Sequence, residues 1–277
     1  MISIIISSYQ EHYFQQISEN ISQTIGDNIV YEIIKISNPG KMSICAAYNL
    51  GAKQSKFGHL LFIHEDILFC ENNWGHKLIK TLELPNCGVV GVAGGDYYSY
   101  VPASWWNKGH SKLHFIQVDN ENKEWINNNL SGKEHEKVKL LDGVFLACTR
   151  NVYDDINFDE NITGYHGYDL IFSLKAAKKY TNYVTGQILI KHFSSGTLSK
   201  QWLVNIIKVR DIIGTFSDQK FDSQLETENF YRLLIYLKKY GFRKRESLKI
   251  VLKYLNPWVL GFTNTMKIVN RTKYLIK

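Results

Sequence analysis

The sequence predicts an α/β protein in which helices cover a parallel sheet, followed by a helical extension. Three observations carry that expectation. The chain opens on a run, Ile2 to Ser8, that is apolar on both faces and rich in β-branched residues. Short apolar runs then alternate with helix-period segments as far as Ala93, and beyond Gly196 the apolar spacing is helical throughout. A strand buried on both faces reads as a continuous apolar run, and strands that alternate with helices assemble into parallel sheets.

The elements follow in order. Glu11 to Ile25 sets Phe14, Ile17, Ile21 and Ile25 at helical spacing. Val30 to Ile36 reads as a second strand, closed by the turn cluster Ser37-Asn38-Pro39-Gly40, and Ser43 to Lys53 as a second helix. Gly58 to Ile63 predicts a third strand, Trp74 to Leu84 a helix, and Gly88 to Ala93 a fourth strand. After Ala93 the pattern breaks. Gly94-Gly95-Asp96 leads into an aromatic stretch with Tyr97, Tyr98, Tyr100, Trp105 and Trp106, then into polar sequence around Asn120 to Lys133, an expected excursion on the substrate side. Strand character returns at Val138 to Leu141 and Gly143 to Thr149, divided by Asp142; a helix is expected over Asp169 to Lys179 and a last strand over Ile188 to Lys191, just before His192. Leu248, Val251, Leu252 and Leu255 fall at i, i+3, i+4 and i+7, with Lys249 and Lys253 turned away, and Pro257 ends that helix. A boundary near residue 200 divides a body, 1–200, from an extension, 201–277.

Composition places the chain among globular proteins: 277 residues, 44% hydrophobic, 21% charged and four prolines, with no internal repeat. Cys45, Cys70, Cys87 and Cys148 form no C-x-x-C pair and read as buried thiols in a reducing compartment. The N-terminus lacks a basic leader, and no stretch reaches about 18 uninterrupted apolar residues, so cytoplasmic residence is expected. Net charge is +7, yet residues 201–277 hold 15 Lys and Arg against 6 Asp and Glu, a balance of +9, which leaves −2 for the first 200 residues. Between Phe230 and Lys277 twelve basic residues face one acidic residue, Glu246, among Leu, Ile, Tyr and Trp258. That composition suits either a helix lying on anionic lipid headgroups, peripheral to the inner face of a membrane, or an extension packed on the body with its lysines solvated.

The run Leu60 to Ile63 empties into His64-Glu65-Asp66. Ligands collect at the carboxyl ends of strands in open α/β sheets, so a divalent cation and a nucleoside diphosphate would fit there; capping of a following helix is the structural alternative.

Several separated segments fall into one order: the first strand into Ser7-Ser8-Tyr9, Ala46-x-x-Asn49-x-Gly51, His64-Glu65-Asp66, Leu141-Asp142-Gly143-Val144-Phe145, Phe158-Asp159-Glu160, Gly164 to Leu170, and Lys191-His192 followed by Ser194-Ser195-Gly196. In that order, over about residues 1 to 200, they resemble the GT-A-type nucleotide-sugar glycosyltransferases, especially the bacterial glycosyltransferase-like branch whose metal triplet begins with His. The resemblance implies a GT-A fold, a Rossmann-like mixed sheet flanked by helices. It also implies transfer of a sugar from a nucleoside diphosphate sugar to a glycan, lipid-linked or other hydroxyl acceptor in surface polysaccharide or glycoconjugate assembly.

The residue roles come with the resemblance. Asp66 takes the place of the firmest metal ligand of the family's Asp-x-Asp triplet, holding Mn2+ or Mg2+ against the leaving diphosphate. His64 departs from the usual Asp, which removes a negative charge and opens a second use, contact with ribose. His192 stands where several GT-A enzymes have another ligand, with closure of the strand as its structural alternative. Asp169 matches the general base of an inverting transfer, where helix capping competes, and Asp142 is the alternative base, assigned to donor and acceptor binding. Ser7, Ser8, Tyr9, Asn38, Glu65 and Asn49 are expected around the nucleotide, although Asn49 is equally suited to bonding backbone. Trp105 and Trp106 suit stacking on a sugar or plain packing.

Two rivals remain. A nucleotidyltransferase would carry a Gly-rich phosphate loop with a basic residue after the first strand, and Ser7 to Gln16 offers none. A non-catalytic nucleotide-sugar binder stays open because the triplet is irregular. A nucleic-acid binder is disfavoured, since the positive charge is confined to the last segment and no known binding motif is present.

Overall fold

The computed structural model describes residues 1–194, 196, 198–217 and 219–276, with side chains as far as 273 in the last helix. The first half alternates as expected: β1 (Ile2–Ser8), α1 (Glu11–Thr24), β2 (Tyr31–Ser37), α2 (Ile44–Gln54), β3 (His59–Ile63), β4 (Ile67–Phe69), α3 (Trp74–Leu82) and β5 (Cys87–Gly91). There follow β6 (Ala93–Gly95), β7 (Ser111–Val118), β8 (Glu124–Asn128), β9 (His135–Val138), β10 (Leu140–Leu141), β11 (Phe145–Thr149), α4 (Arg150–Ile156), α5 (Tyr168–Ala177), β12 (Thr181–Thr185) and β13 (Ile190–Phe193). The extension is α6 (Lys200–Ile213), α7 (Ser223–Lys239), α8 (Lys244–Tyr254), α9 (Pro257–Leu260) and α10 (Phe262–Ile276).

Among the described residues the strands form two sheets. The larger runs β2-β1-β3-β11-β5-β12-β9 and the smaller β10-β6-β7-β13-β4, with β8 on β7. The β2-β1-β3 portion is parallel, as the alternation predicts. β11 is antiparallel to both β3 and β5, so the sheet is mixed rather than parallel, as the resemblance implies. β1 lies between β2 and β3 with Ile2, Ile4, Ile5 and Ile6 fully buried, which explains its two-faced apolar run.

The expected excursion after Ala93 is built into the second sheet by the β6–β8 ribbon and is clasped by the extension. Glu226 of α7 is buried and accepts hydrogen bonds from Tyr97 Oη (2.6 Å), Ser99 Oγ (2.7 Å) and the backbone N–H groups of Tyr100 (2.9 Å) and Val101 (3.0 Å). Arg210 of α6 donates to Tyr100 O at 2.6 Å and lies over the Tyr98 and Tyr100 rings. Trp202, Phe230 and Leu233 of the extension share one apolar core with Leu140, Phe172 and Leu174 of the body. Residue 200 therefore marks the start of a helix, and the core runs across it.

Two further expectations change. In α8 the inward stripe is Ser247, Val251 and Tyr254, while Leu252 faces out, so the helix is rotated from the predicted stripe; Pro257 follows its end and opens α9. Cys45, Cys87 and Cys148 are buried free thiols, but Cys70 is exposed.

Candidate active site

His64, Glu65 and Asp66 occupy the link between β3 and β4, the point at which the chain leaves the large sheet for the small one. β4 pairs antiparallel with β13, with His192 opposite Ile67, and Phe193 N donates to Asp66 O at 2.9 Å. That register, rather than any sequence proximity, brings His192 to Asp66. His192 lies within β13 and not beyond its end as expected.

The three side chains converge. His192 Nε2 lies 3.7 Å and His64 Nδ1 3.8 Å from Asp66 Oδ1, and one ligand atom from each residue lies within 4.8 Å of the others. His192 Nε2 is buried with no hydrogen-bond partner among the described residues. Burial holds its imidazole down at about 4, against the opposing pull of Asp66, so the ring is neutral at pH 7 and its lone pair is available. An orphaned buried imidazole aimed at a carboxylate fits a divalent cation: metal–ligand bonds of about 2.1 Å put octahedral neighbours roughly 3 to 4 Å apart. His64 Nε2 and Tyr168 Oη are 2.7 Å apart. With Nδ1 as the ligand atom, Nε2 carries the proton and donates it to Tyr168, the orienting arrangement common to metal-bound histidines.

Tyr168 opens α5 in a buried aromatic cluster with Tyr48 and Phe158. The Asp-Gly step explains itself here, because a Cβ on Gly143 would lie 2.0 Å from Tyr168 Oη. Gly167, at φ +78°, supplies the left-handed turn that starts the helix. Asp169 follows in the first turn of α5. Burial and the neighbouring Asp142 carboxylate push it up to about 7, opposed by backbone N–H groups including that of Gly143. Asp142 is held by Trp105 Nε1 at 3.0 Å and Val144 N at 2.9 Å.

Two clefts meet at this cluster. The first, with room of about 170 Å³, is lined by Ser7, Tyr9, Tyr13, Asn38, Asp66 and Tyr165. The second, about 540 Å³, is lined by Trp105, Trp106, Asp142, Asp169, His192 and Trp202. His64, Tyr165 and Tyr168 border both. Trp106 stacks on Trp202 at 6.0 Å and 9°, so these tryptophans pack on each other and line the second cleft together.

Other predicted residues have different work. Asn49 faces away from both clefts: its side chain bonds Phe158 N and O, Glu160 and Tyr153 Oη, fixing the 158–160 turn, and Gly51 lets α2 approach β1, since a Cβ there would meet Ile5 at 2.2 Å. Glu65 borders the first cleft and also accepts from Tyr9 N and Gln10 N, both at 3.2 Å, at the start of α1, whose N-cap residue makes no side-chain cap of its own. Asn38 borders the first cleft but spends its amide on Met42 O and its oxygen on Lys41 N and Met42 N. Ser8 Oγ is buried without a partner, outside the cleft lining, whereas Ser7 lines it. Ser195, in the segment after His192, lies outside the described residues. Tyr13, Tyr165, Tyr168 and Trp202 carry no predicted role; Tyr13, one helical turn after Tyr9, and Tyr168, directly before Asp169, were the signals available.

The sequence profile of a family described as glycosyltransferase-like matches residues 3–212, well over half of the chain. The chain belongs to that family. Among solved structures, this glycosyltransferase-like protein is similar in fold to GalNAc-T7 with UDP, GalNAc and Mn2+, at a TM-score of 0.56 and 10% identity, covering 96% of this chain and 56% of that one. It is likewise similar to Staphylococcus aureus TarS 1–349 in complex with UDP, at a TM-score of 0.53 and 12% identity, covering 99% and 82%. The chain thus spans little more than half of the GalNAc-T7 structure. Those likenesses establish the GT-A fold for the glycosyltransferase-like protein. No curated protein matches its sequence.

Proposed function

We infer that the protein transfers a sugar from a nucleoside diphosphate sugar to a hydroxyl acceptor, with inversion and with a divalent cation. The observation that carries this reading is the junction of two clefts at His64, Asp66 and His192. GalNAc-T7 and TarS, similar in fold, were solved with UDP, and the former with Mn2+. In this reading the first cleft takes the nucleotide, with Tyr9, Tyr13 and Tyr165 against the base and ribose and Ser7 bonding polar edges. Asp66, His192 and His64 hold the cation, and two imidazoles favour Mn2+ over Mg2+. Bound there, a divalent cation would supply the positive charge that neutralises a leaving diphosphate. Asp169, ionised, takes the proton of the acceptor hydroxyl as that oxygen attacks the anomeric carbon, while Trp105 steadies Asp142 beside donor and acceptor. The acceptor lies in the second cleft along Trp106 and Trp202. Glycan or lipid-linked acceptors of surface glycoconjugate assembly, met at a membrane surface, complete the proposal.

Release of free nucleoside diphosphate from a panel of nucleotide sugars tests it. Turnover is expected with Mn2+, lost on chelation, and reduced about 10²- to 10⁴-fold in Asp169→Asn. Turnover equal in Asp169→Asn and wild type would remove the base from the mechanism.

A further inference from the structure

The extension carries a surface that the transfer chemistry does not use. Trp258 of α9 is 87% exposed, and beside it on α10 Phe262 is 67% and Met266 62% exposed. The Trp258 and Phe262 rings are 5.9 Å apart, so they form one patch, and Val269, one turn after Met266, continues it. Thr265, Ile268 and Thr272 lie on the buried face of the same helix. Leu252 of α8 is also exposed, at 70%. Single exposed apolar residues are ordinary, but a run of large ones on one helical face marks a docking surface.

Charge identifies what docks. Lys244, Arg245 and Lys249 are exposed on α8 and Lys267 and Lys273 on α10, on either side of α9, and Glu246 is the one acidic residue between Phe230 and Lys277. A second copy would bring two strongly cationic faces together, which disfavours a homodimer here. Trp and Phe projecting from a basic helical face match an anionic bilayer, with rings in the acyl boundary and cations among the phosphates. None of the described helices is long and apolar enough to cross a membrane, so contact would be interfacial.

We propose that α8–α10 dock the protein on anionic lipid headgroups, with Trp258, Phe262 and Met266 inserting into the interface. This rests on the glycosyl-transfer reading only for its purpose. α7 packs on α9 and α10 and presents Tyr236 to Trp202, 5.2 Å away, which lines the second cleft. The docking surface is thereby linked through packed helices to the proposed acceptor cleft, a connection of use for acceptors held in the bilayer.

The test is co-sedimentation of the full chain, without nucleotide, with phosphatidylcholine vesicles that contain or lack phosphatidylglycerol. Binding is expected only with phosphatidylglycerol and is expected to fall as salt is raised. The double variant W258S/F262S, at exposed positions, should keep the wild-type circular dichroism spectrum and bind at least about ten-fold more weakly, a loss of about 1.4 kcal/mol or more. K249E/K267E should weaken binding through charge alone. Failure to pellet with phosphatidylglycerol, equal binding to both vesicles, or wild-type binding by W258S/F262S would overturn the proposal, as would a dimer dissolved by that variant. Vesicle binding without donor cleavage would leave docking standing and sink the transfer reading; donor cleavage without vesicle binding would do the reverse.

Discussion

At the residue scale the proposed cation site turns on the His64 imidazole. His64 contributes no formal charge, so its usefulness as a ligand depends on orientation, and Tyr168 supplies that through a 2.7 Å bond. Tyr168→Phe is expected to weaken Mn2+ binding about 10- to 100-fold with little loss of stability, read by calorimetric titration. Gly143→Ala puts a methyl against the same hydroxyl and should cost roughly 1 to 3 kcal/mol of stability as well, read by chemical denaturation. Asp169 gives a pH signature. Its folded pKa is raised towards about 7, so the protonated form dominates below that, and turnover should climb as pH rises through about 7. Ionising Asp169 also costs the folded state, so stability is lost as pH rises through the same range, and Asp169→Asn should melt at a higher temperature than wild type at pH 8. Asp66, His192 and Asp169 could be singled out in the sequence because each carries a chemically apt side chain in or beside a strand or helix; the structure brings the first two together and sets the third on the second cleft. For Asn49 the sequence left nucleotide contact and backbone bonding open, because a polar residue beside a site reads the same in either role, and for Glu65 it gave no sign of the bonds to the start of α1.

At the element scale, short strands decide the geometry. β4 spans three residues and β13 four, too few for a periodic signal, yet their pairing is what unites Asp66 with His192. β11 likewise reads as an apolar run whatever its direction, so its antiparallel insertion between β3 and β5 was invisible. β12 and α4 were missed for the same shortness. The clasp at Glu226 is a long-range feature that sequence cannot display, since its four partners lie more than a hundred residues away. Glu226→Ala would orphan the buried Val101 N–H, the part-buried Tyr100 N–H and two hydroxyls and should destabilise by about 3 kcal/mol or more, measured as a shift in urea midpoint. Since the clasp holds the stretch that carries Trp105, acceptor-side function should decline with it.

At the scale of the whole molecule, the alternating pattern and the helical extension could be read directly, because periodicity reports the layer each element joins. What could not be read is that the extension completes the body's core. Trp202, Phe230, Leu233 and Leu237 are buried among the body's side chains, and a chain cut at residue 200 would expose that apolar face. Residues 1–200 alone should therefore lack a cooperative thermal transition, checked by calorimetry beside the full chain.

The central claim is that Asp66, His64 and His192 hold one cation between them. Mn2+ titration followed by electron paramagnetic resonance, with and without UDP, tests it most directly. One tightly bound Mn2+ per chain is predicted, its affinity raised by the nucleotide and abolished in Asp66→Ala and His192→Ala. Undiminished stoichiometric Mn2+ binding in both variants, or none in the wild type with nucleotide present, would contradict it.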